Sequence, residues 1–87
     1  MAQGYHFEQI EFPFKHPLCM TQTKNGFIWF GHHYGLIRFD GSNYRMFSHD
    51  PDNPESITSG RIFHISAQDS FLWLGSDTGG ISRFNIY

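Results

Sequence analysis

Phe27-Ile28-Trp29-Phe30-Gly31 is followed after four residues by Leu36-Ile37-Arg38-Phe39-Asp40, and the pattern returns as Phe71-Leu72-Trp73-Leu74-Gly75, then after five residues Ile81-Ser82-Arg83-Phe84-Asn85. The two tryptophans stand 44 residues apart (73 − 29). A period of roughly 40–50 residues that carries several short strands is the period of a β-propeller blade. The chain is therefore expected to be all-β, built of about two four-stranded antiparallel blades. Ten Phe, four Tyr and two Trp agree with this, because aromatic side chains fit pleated surfaces better than helices. No segment has an apolar period of 3.6 residues over a helical length.

The strands are placed by their patterns. Ile10, Phe12 and Phe14 alternate within a leading strand over residues 7–14, bounded by Pro13 and Pro17. Leu18 to Thr23 is the next strand, closed by Lys24-Asn25-Gly26, whose Asn-Gly pair suits a tight hairpin turn with φ > 0. Phe27 to Phe30 is apolar at every position, as in a strand covered on both faces. Leu36 to Asp40 and Tyr44 to Ser48 complete the first repeat, residues 18–48. A linker over 49–60, dense in Pro, Asn, Asp and Ser, separates it from the second repeat, residues 61–87. There the strands are Ile62 to Ala67, Phe71 to Gly75 and Ile81 to Tyr87. The count is eight, with the leading strand placed to complete the last blade of a ring.

Several function classes are set aside by composition. Six Lys and Arg against eight Asp and Glu give a net charge of −2, and no basic cluster forms the phosphate-neutralising face that nucleic acid requires. No apolar run approaches the ~20 residues of a membrane span, so no direct membrane insertion is expected. Cys19 is alone and cannot form an intrachain disulfide, and no Cys/His pair has zinc-ligand spacing. Met1-Ala2-Gln3-Gly4 lacks the basic and apolar regions of a signal peptide. It reads instead as the remnant left after leader removal, with Met1 in the leader's place. A chain of 87 residues is one domain at most and buries only roughly 60 % of its unfolded surface. Its expected partners are the remaining blades of a propeller or further copies of itself.

The segment from Gln22 through Trp29-Phe30-Gly31, with Gly35-Leu36-Ile37-Arg38-Phe39-Asp40-Gly41, Tyr44-Arg45-Met46-Phe47 and the linker His49-Asp50-Pro51-Asp52-Asn53-Pro54-Glu55-Ser56-Ile57, resembles the two-component regulator propeller repeat. Gln68-Asp69 through Leu72-Trp73-Leu74-Gly75 to Gly79-Gly80-Ile81-Ser82-Arg83-Phe84-Asn85 is similar. The resemblance covers nearly the whole chain. It implies a ligand-sensing segment of a hybrid sensor histidine kinase of the kind found in gut and soil Bacteroidetes. Such a segment is periplasmic, recognises an oligosaccharide and has no catalytic role or cofactor of its own. The chain departs from the pattern twice. Gln22-Thr23 stands where the family has Gln-Asp, and His32 and Ser76 stand where it favours Thr after Trp-x-Gly. A hydroxyl there ties the turn to the backbone, which Ser76 retains and His32 is not expected to reproduce in the same way.

His32-His33-Tyr34, flanked by Gly31 and Gly35, is the most unusual cluster. It reads as a rim loop offering aromatic faces and polar tips to a sugar, against the plainer reading of an exposed turn. Asp77 and Thr78 occupy the corresponding second loop. Arg38 and Arg83 match in the two repeats, either as cations near a ligand or, the favoured reading, as stems packed on neighbouring aromatics. Trp29 and Trp73, in apolar surroundings, are expected between blades rather than as sugar platforms. Six histidines raise a metal site, but His32 and His33 are adjacent and would point to opposite sides of an extended segment, so none is expected. His64 reads as a hydrogen-bonded structural residue. No Ser/His/Asp or paired-carboxylate arrangement supports catalysis, Glu8 and Glu11 included. The alternative to the sensor segment is a self-associating, lectin-like two-blade protein whose copies close a ring.

Overall fold

The computed structural model describes residues 12–14, 16–54, 56–57, 60–78 and 80–86. Among them the chain is all-β. Its strands are β1 (Cys19–Gln22), β2 (Ile28–His32), β3 (Gly35–Phe39), β4 (Tyr44–Phe47), β5 (Ile62–Gln68), β6 (Phe71–Ser76) and β7 (Gly80–Asn85). They form two antiparallel meanders, a four-stranded sheet in the order β1-β2-β3-β4 and a three-stranded sheet in the order β5-β6-β7. Of the predicted leading strand, residues 7–11 lie outside the described residues, and Pro13 and Phe14 form a bend rather than a strand.

Strand pairing assigns every side chain to a face. In the first sheet Trp29 lies between Thr21 and Arg38, and Gly31 between Cys19 and Leu36. In the second, Trp73 lies between Ser66 and Arg83, and Gly75 between His64 and Ile81. The Trp face of the first sheet is covered by the opposite face of the second, so that Trp29 and Leu36 share one core with Ile62, Ile65, Leu72 and Leu74. The rings of Trp29, Phe47 and Phe84 meet across this junction, with Trp29 to Phe84 at 5.9 Å and Phe47 to Phe84 at 5.3 Å between centroids. Such edge contacts between aromatics add to the stabilisation from burial itself. Phe30 is buried as well, on the other face, where Phe12 lies 4.8 Å from it. The uniformly apolar run over 27–30 thus has cover on both sides.

The Trp-x-Gly motif has a packing cause in the first repeat. A Cβ on Gly31 would collide with the Ile62 carbonyl oxygen and with Cys19 Sγ. β5 runs against β1 and β2 at this point, and Cys19 Sγ donates to Ile62 O at 3.6 Å.

Two turns differ from expectation. Gly26 has φ of +90° but Asn25 does not have positive φ. Gly26 N–H donates to Thr23 O at 2.9 Å and Thr23 N–H to Phe27 O at 3.0 Å, which makes a three-residue turn ending on a left-handed glycine instead of a two-residue Asn-Gly turn. The Asn25 side-chain oxygen accepts from Thr23 Oγ1 and from Phe27 N–H. The second turn, Asp69-Ser70, is one residue shorter, with Asp69 at φ +52°. Thr23 is consequently the counterpart of Gln68, not Gln22 as the motif alignment has it. Each accepts the indole N–H of its tryptophan, Trp29 to Thr23 Oγ1 at 3.1 Å and Trp73 to Gln68 Oε1 at 2.8 Å.

The linker is compact. Asp50 N–H donates to Ser56 Oγ at 2.9 Å, His49 Nδ1 meets Ile57 O at 2.8 Å, and Asn53 N–H donates to Asp50 O at 3.0 Å. These bonds fold the segment back and deliver Ile57 into the shared core.

Candidate functional site

The two Trp-x-Gly motifs are each followed by a loop, and both loops are tied in the same way. Thr78 N–H donates to Ser76 Oγ at 3.2 Å. Tyr34 N–H donates to His32 Nδ1 at 3.3 Å. The imidazole therefore reproduces the hydroxyl's bond to the turn, contrary to the sequence expectation. Both positions offer an acceptor atom at a similar reach from the backbone, which is the property the turn needs.

That bond also assigns the tautomer of His32. With Nδ1 accepting, the proton of the neutral ring resides on Nε2. His32 is 2 % exposed, and Nε2 is buried with no hydrogen-bond partner. Burial, with a smaller contribution from neighbouring His33, pushes the His32 pKa below its ordinary value. The ring is thus held neutral as an unsatisfied donor, and a buried unsatisfied donor costs about 1–3 kcal/mol.

Around it the other members of the loop are exposed. His33 stands edge-on to His32 with centroids 5.7 Å apart, and Tyr34 lies 5.6 Å away on the same ring. His32, His33, Tyr34 and Arg61 line an open depression of about 350 Å³. Arg61 was not singled out by sequence reasoning, because nothing in Ser59-Gly60-Arg61 sets it apart from an ordinary linker end. Its position follows from Asp77. Arg61 N–H donates to Asp77 Oδ1 at 2.9 Å, and its Nε donates to Oδ2 at 2.8 Å. These bonds hold the Asp77 carboxyl below the usual carboxylate range. Gly60, at φ +90°, lets this corner close, since a side chain there would run into Asp77 and Thr78. Arg61 thereby joins the two loops at one end of the sheets, with Asp77 as its anchor and His32, His33 and Tyr34 beside it.

Arg38 and Arg83 are placed elsewhere. Arg38 Cζ lies 4.9 Å above Phe27, and Arg83 Cζ 4.3 Å above Phe71, the equivalent ring. Both guanidinium groups pack on the aromatic at the start of the neighbouring strand, Phe27 just before β2 and Phe71 at the head of β6, in keeping with the favoured reading. Arg83 also lines a second depression of about 290 Å³ beside the linker, with Ser56, Ile57, Leu74 and Ser82. His64, expected as a hydrogen-bonded structural residue, is exposed on β5. Among the described residues no three His, Cys, Asp or Glu side chains come together as metal ligands.

The tryptophans differ. Trp29 is 1 % exposed and Trp73 37 %, so Trp73 is not between sheets as expected. The cause is positional: the second sheet covers the face that bears Trp29, and nothing among the described residues covers the equivalent face of the second sheet.

Comparison with known proteins found no matching family model, no similar curated protein and no similar solved structure.

Proposed function

We propose that this chain is a pair of β-propeller blades that binds an oligosaccharide at the rim formed by the His32-His33-Tyr34 loop and Arg61, as the sensing segment of a two-component histidine kinase of the periplasm. The blade reading is supported by the repeat and by the covering of one sheet's Trp face by the next sheet. The kinase context, the periplasmic location and the sugar ligand are carried by the resemblance in the repeat motifs. On this reading the chain has no catalytic residue and needs no cofactor; the chemistry belongs to the rest of the signalling protein.

The observation that carries the binding site is the open depression that exposed His33, Tyr34 and Arg61 line together with His32, which holds the turn between them. Tyr34 and His33 supply faces for the C–H side of a pyranose ring, and the guanidinium of Arg61 supplies further donors for hydroxyl or carboxylate oxygens. Asp77 contributes by holding Arg61, and Thr78 by shaping the second loop.

The test is titration of the purified chain with a panel of plant and host-glycan oligosaccharides, followed by nuclear magnetic resonance of the histidine and tyrosine side chains. At least one oligosaccharide is expected to shift His32, His33 and Tyr34. Tyr34→Ala and Arg61→Ala are each expected to weaken binding about tenfold, the loss of roughly one good polar or stacking contact, with an unchanged circular dichroism spectrum. A panel without any binder, or binding that survives both substitutions, refutes the site.

A further inference from the structure

Two arginines stand directly opposite each other in the first sheet, Arg38 on β3 and Arg45 on β4. Direct cross-strand partners carry their Cβ atoms about 5 Å apart on one face, and like charges so placed repel. Both side chains approach the same ring: Arg38 Cζ lies 5.9 Å and Arg45 Cζ 4.7 Å from the centroid of Phe47. Phe27 supports Arg38 from a second side, at 4.9 Å. The rings hold the two groups in place but offer neither a formal charge nor an oxygen acceptor. Among the described residues neither guanidinium has an ion pair or a hydrogen bond. Arg38 is half-buried, and its Nε is shielded from solvent with no partner. A charge partly withdrawn from water without a counter-charge is unfavourable. Asp40, two positions along the chain, does not supply one. Its Oδ1 accepts from Ser42 N–H at 2.9 Å and from Asn43 N–H at 2.7 Å, and these backbone bonds, more than Arg38, hold its carboxyl below the usual carboxylate range.

We propose that Arg38 and Arg45 form an oxyanion site, in which the Nη groups of both residues donate to one sulfate or phosphate group. Two guanidinium groups on neighbouring strands match a dianion in charge, and a tetrahedral group presents oxygens to both at once. The shielded Nε takes no part in this contact; the Nη end of Arg38 is the part left for a ligand. Arg45 is exposed, so its side chain adjusts to the bound group while Arg38 stays fixed between Phe27 and Phe47. The second repeat supplies the contrast. Arg83 keeps the stack, 4.3 Å from Phe71 and 5.9 Å from Trp73, but has no arginine opposite it among the described residues. The site lies toward the Asp40–Asn43 turn, at the end of the sheet away from the His32-His33-Tyr34 loop. Neither arginine lines the depression at that loop. The oxyanion site goes beyond the saccharide reading and does not depend on it.

The probes are inorganic sulfate and inorganic phosphate, each titrated to about 20 mM near neutral pH, with sodium chloride holding the ionic strength constant so that screening does not change. Nuclear magnetic resonance of the arginine Nε–H groups follows the wild type, Arg45→Gln, Arg45→Lys and Arg83→Gln. In the wild type the Arg38 and Arg45 signals are expected to shift saturably with at least one anion, with a dissociation constant of about 1 mM, while the Arg83 signal stays in place. Arg45→Gln changes an exposed position, so it keeps the fold by circular dichroism, and is expected to weaken binding at least about tenfold. Arg45→Lys keeps the charge without the planar fork and is expected to fall between the two. Arg83→Gln is expected to bind as the wild type does. A sulfated galactose then separates the sources of the group: affinity equal to or below that of free sulfate assigns the site to the inorganic anion, and affinity about tenfold higher assigns it to an anionic saccharide. Failure of both anions to move Arg38 and Arg45, undiminished binding by Arg45→Gln, or an equal response at Arg83 each overturns the proposal. The general effect of these anions on folded proteins is recognised by its persistence in Arg45→Gln.

Discussion

His32 illustrates how one residue departs from a repeat and still performs the repeat's task. Its Nδ1 holds the turn by accepting Tyr34 N–H, a role that Ser76 performs in the second repeat. The imidazole, unlike a hydroxyl, titrates. Its folded-state pKa is lowered by burial, so the unfolded chain binds the proton more readily, and stability is lost as pH falls below the ordinary value of 6.5. Protonation also removes the acceptor lone pair from Nδ1 and releases the turn. Asp40 and Asp77, whose pKa values are lowered by their hydrogen bonds, act in a separate window, losing their contribution as pH falls below 3.8. Urea midpoints measured between about pH 7.5 and about pH 5 are therefore expected to fall in the wild type and to change less in His32→Ser, which keeps a turn acceptor without the titration. An equal slope in both proteins would remove His32 as the cause. The residue was legible in the sequence as unusual, but its role was not, because a linear pattern does not tell which ring nitrogen meets a backbone donor. Arg61 was illegible for a related reason: its partner, Asp77, is sixteen positions away.

At the scale of elements, β1 to β7 were readable because apolar or alternating segments are bounded by Gly, Asn, Asp or Pro, and the second repeat restates the first. The turns were read less well. Two-residue and three-residue hairpin turns both accept a left-handed glycine, so the Asn-Gly pair alone does not choose between them. The two motif glycines allow the meaning of the repeat to be measured. Gly31 faces the backbone of β5 and Gly75 does not, although the two are interchangeable in the motif. Gly31→Ala forces β5 away from β2 and is expected to destabilise the chain by about 1–3 kcal/mol, the range for overpacking. Gly75→Ala meets the Cβ of His64 at 3.1 Å, a contact with an exposed side chain rather than with the backbone of a second sheet, and is expected to cost less than half as much. Chemical denaturation of the two variants checks this. Equal losses would show that the approach of β5 is not what distinguishes Gly31 from Gly75.

For the whole molecule, the decisive property is that neither sheet has a core of its own on the shared side. Trp29 and Leu36 from the first sheet are buried against Ile62, Ile65, Leu72 and Leu74 from the second, and the linker adds Ile57. The sequence announced two repeats but not this dependence, which arises from the stacking of one sheet's Trp face on its neighbour and from the folding of the linker. Units that bury their apolar faces only against one another unfold together. Ile62 is the sharpest probe of this, because it is fully buried and its carbonyl accepts from Cys19 of the other sheet. Ile62→Ala removes side-chain volume from the junction and is expected to cost about 2–5 kcal/mol. The loss belongs to both sheets, so tryptophan emission, dominated by the change at Trp29 in the first sheet, and circular dichroism, which sums both, are expected to shift by the same amount to a common midpoint. Should Trp29 keep its buried emission after the dichroism signal of the second sheet is gone, the four-stranded sheet stands alone, and the shared core is an accident of proximity rather than the source of stability.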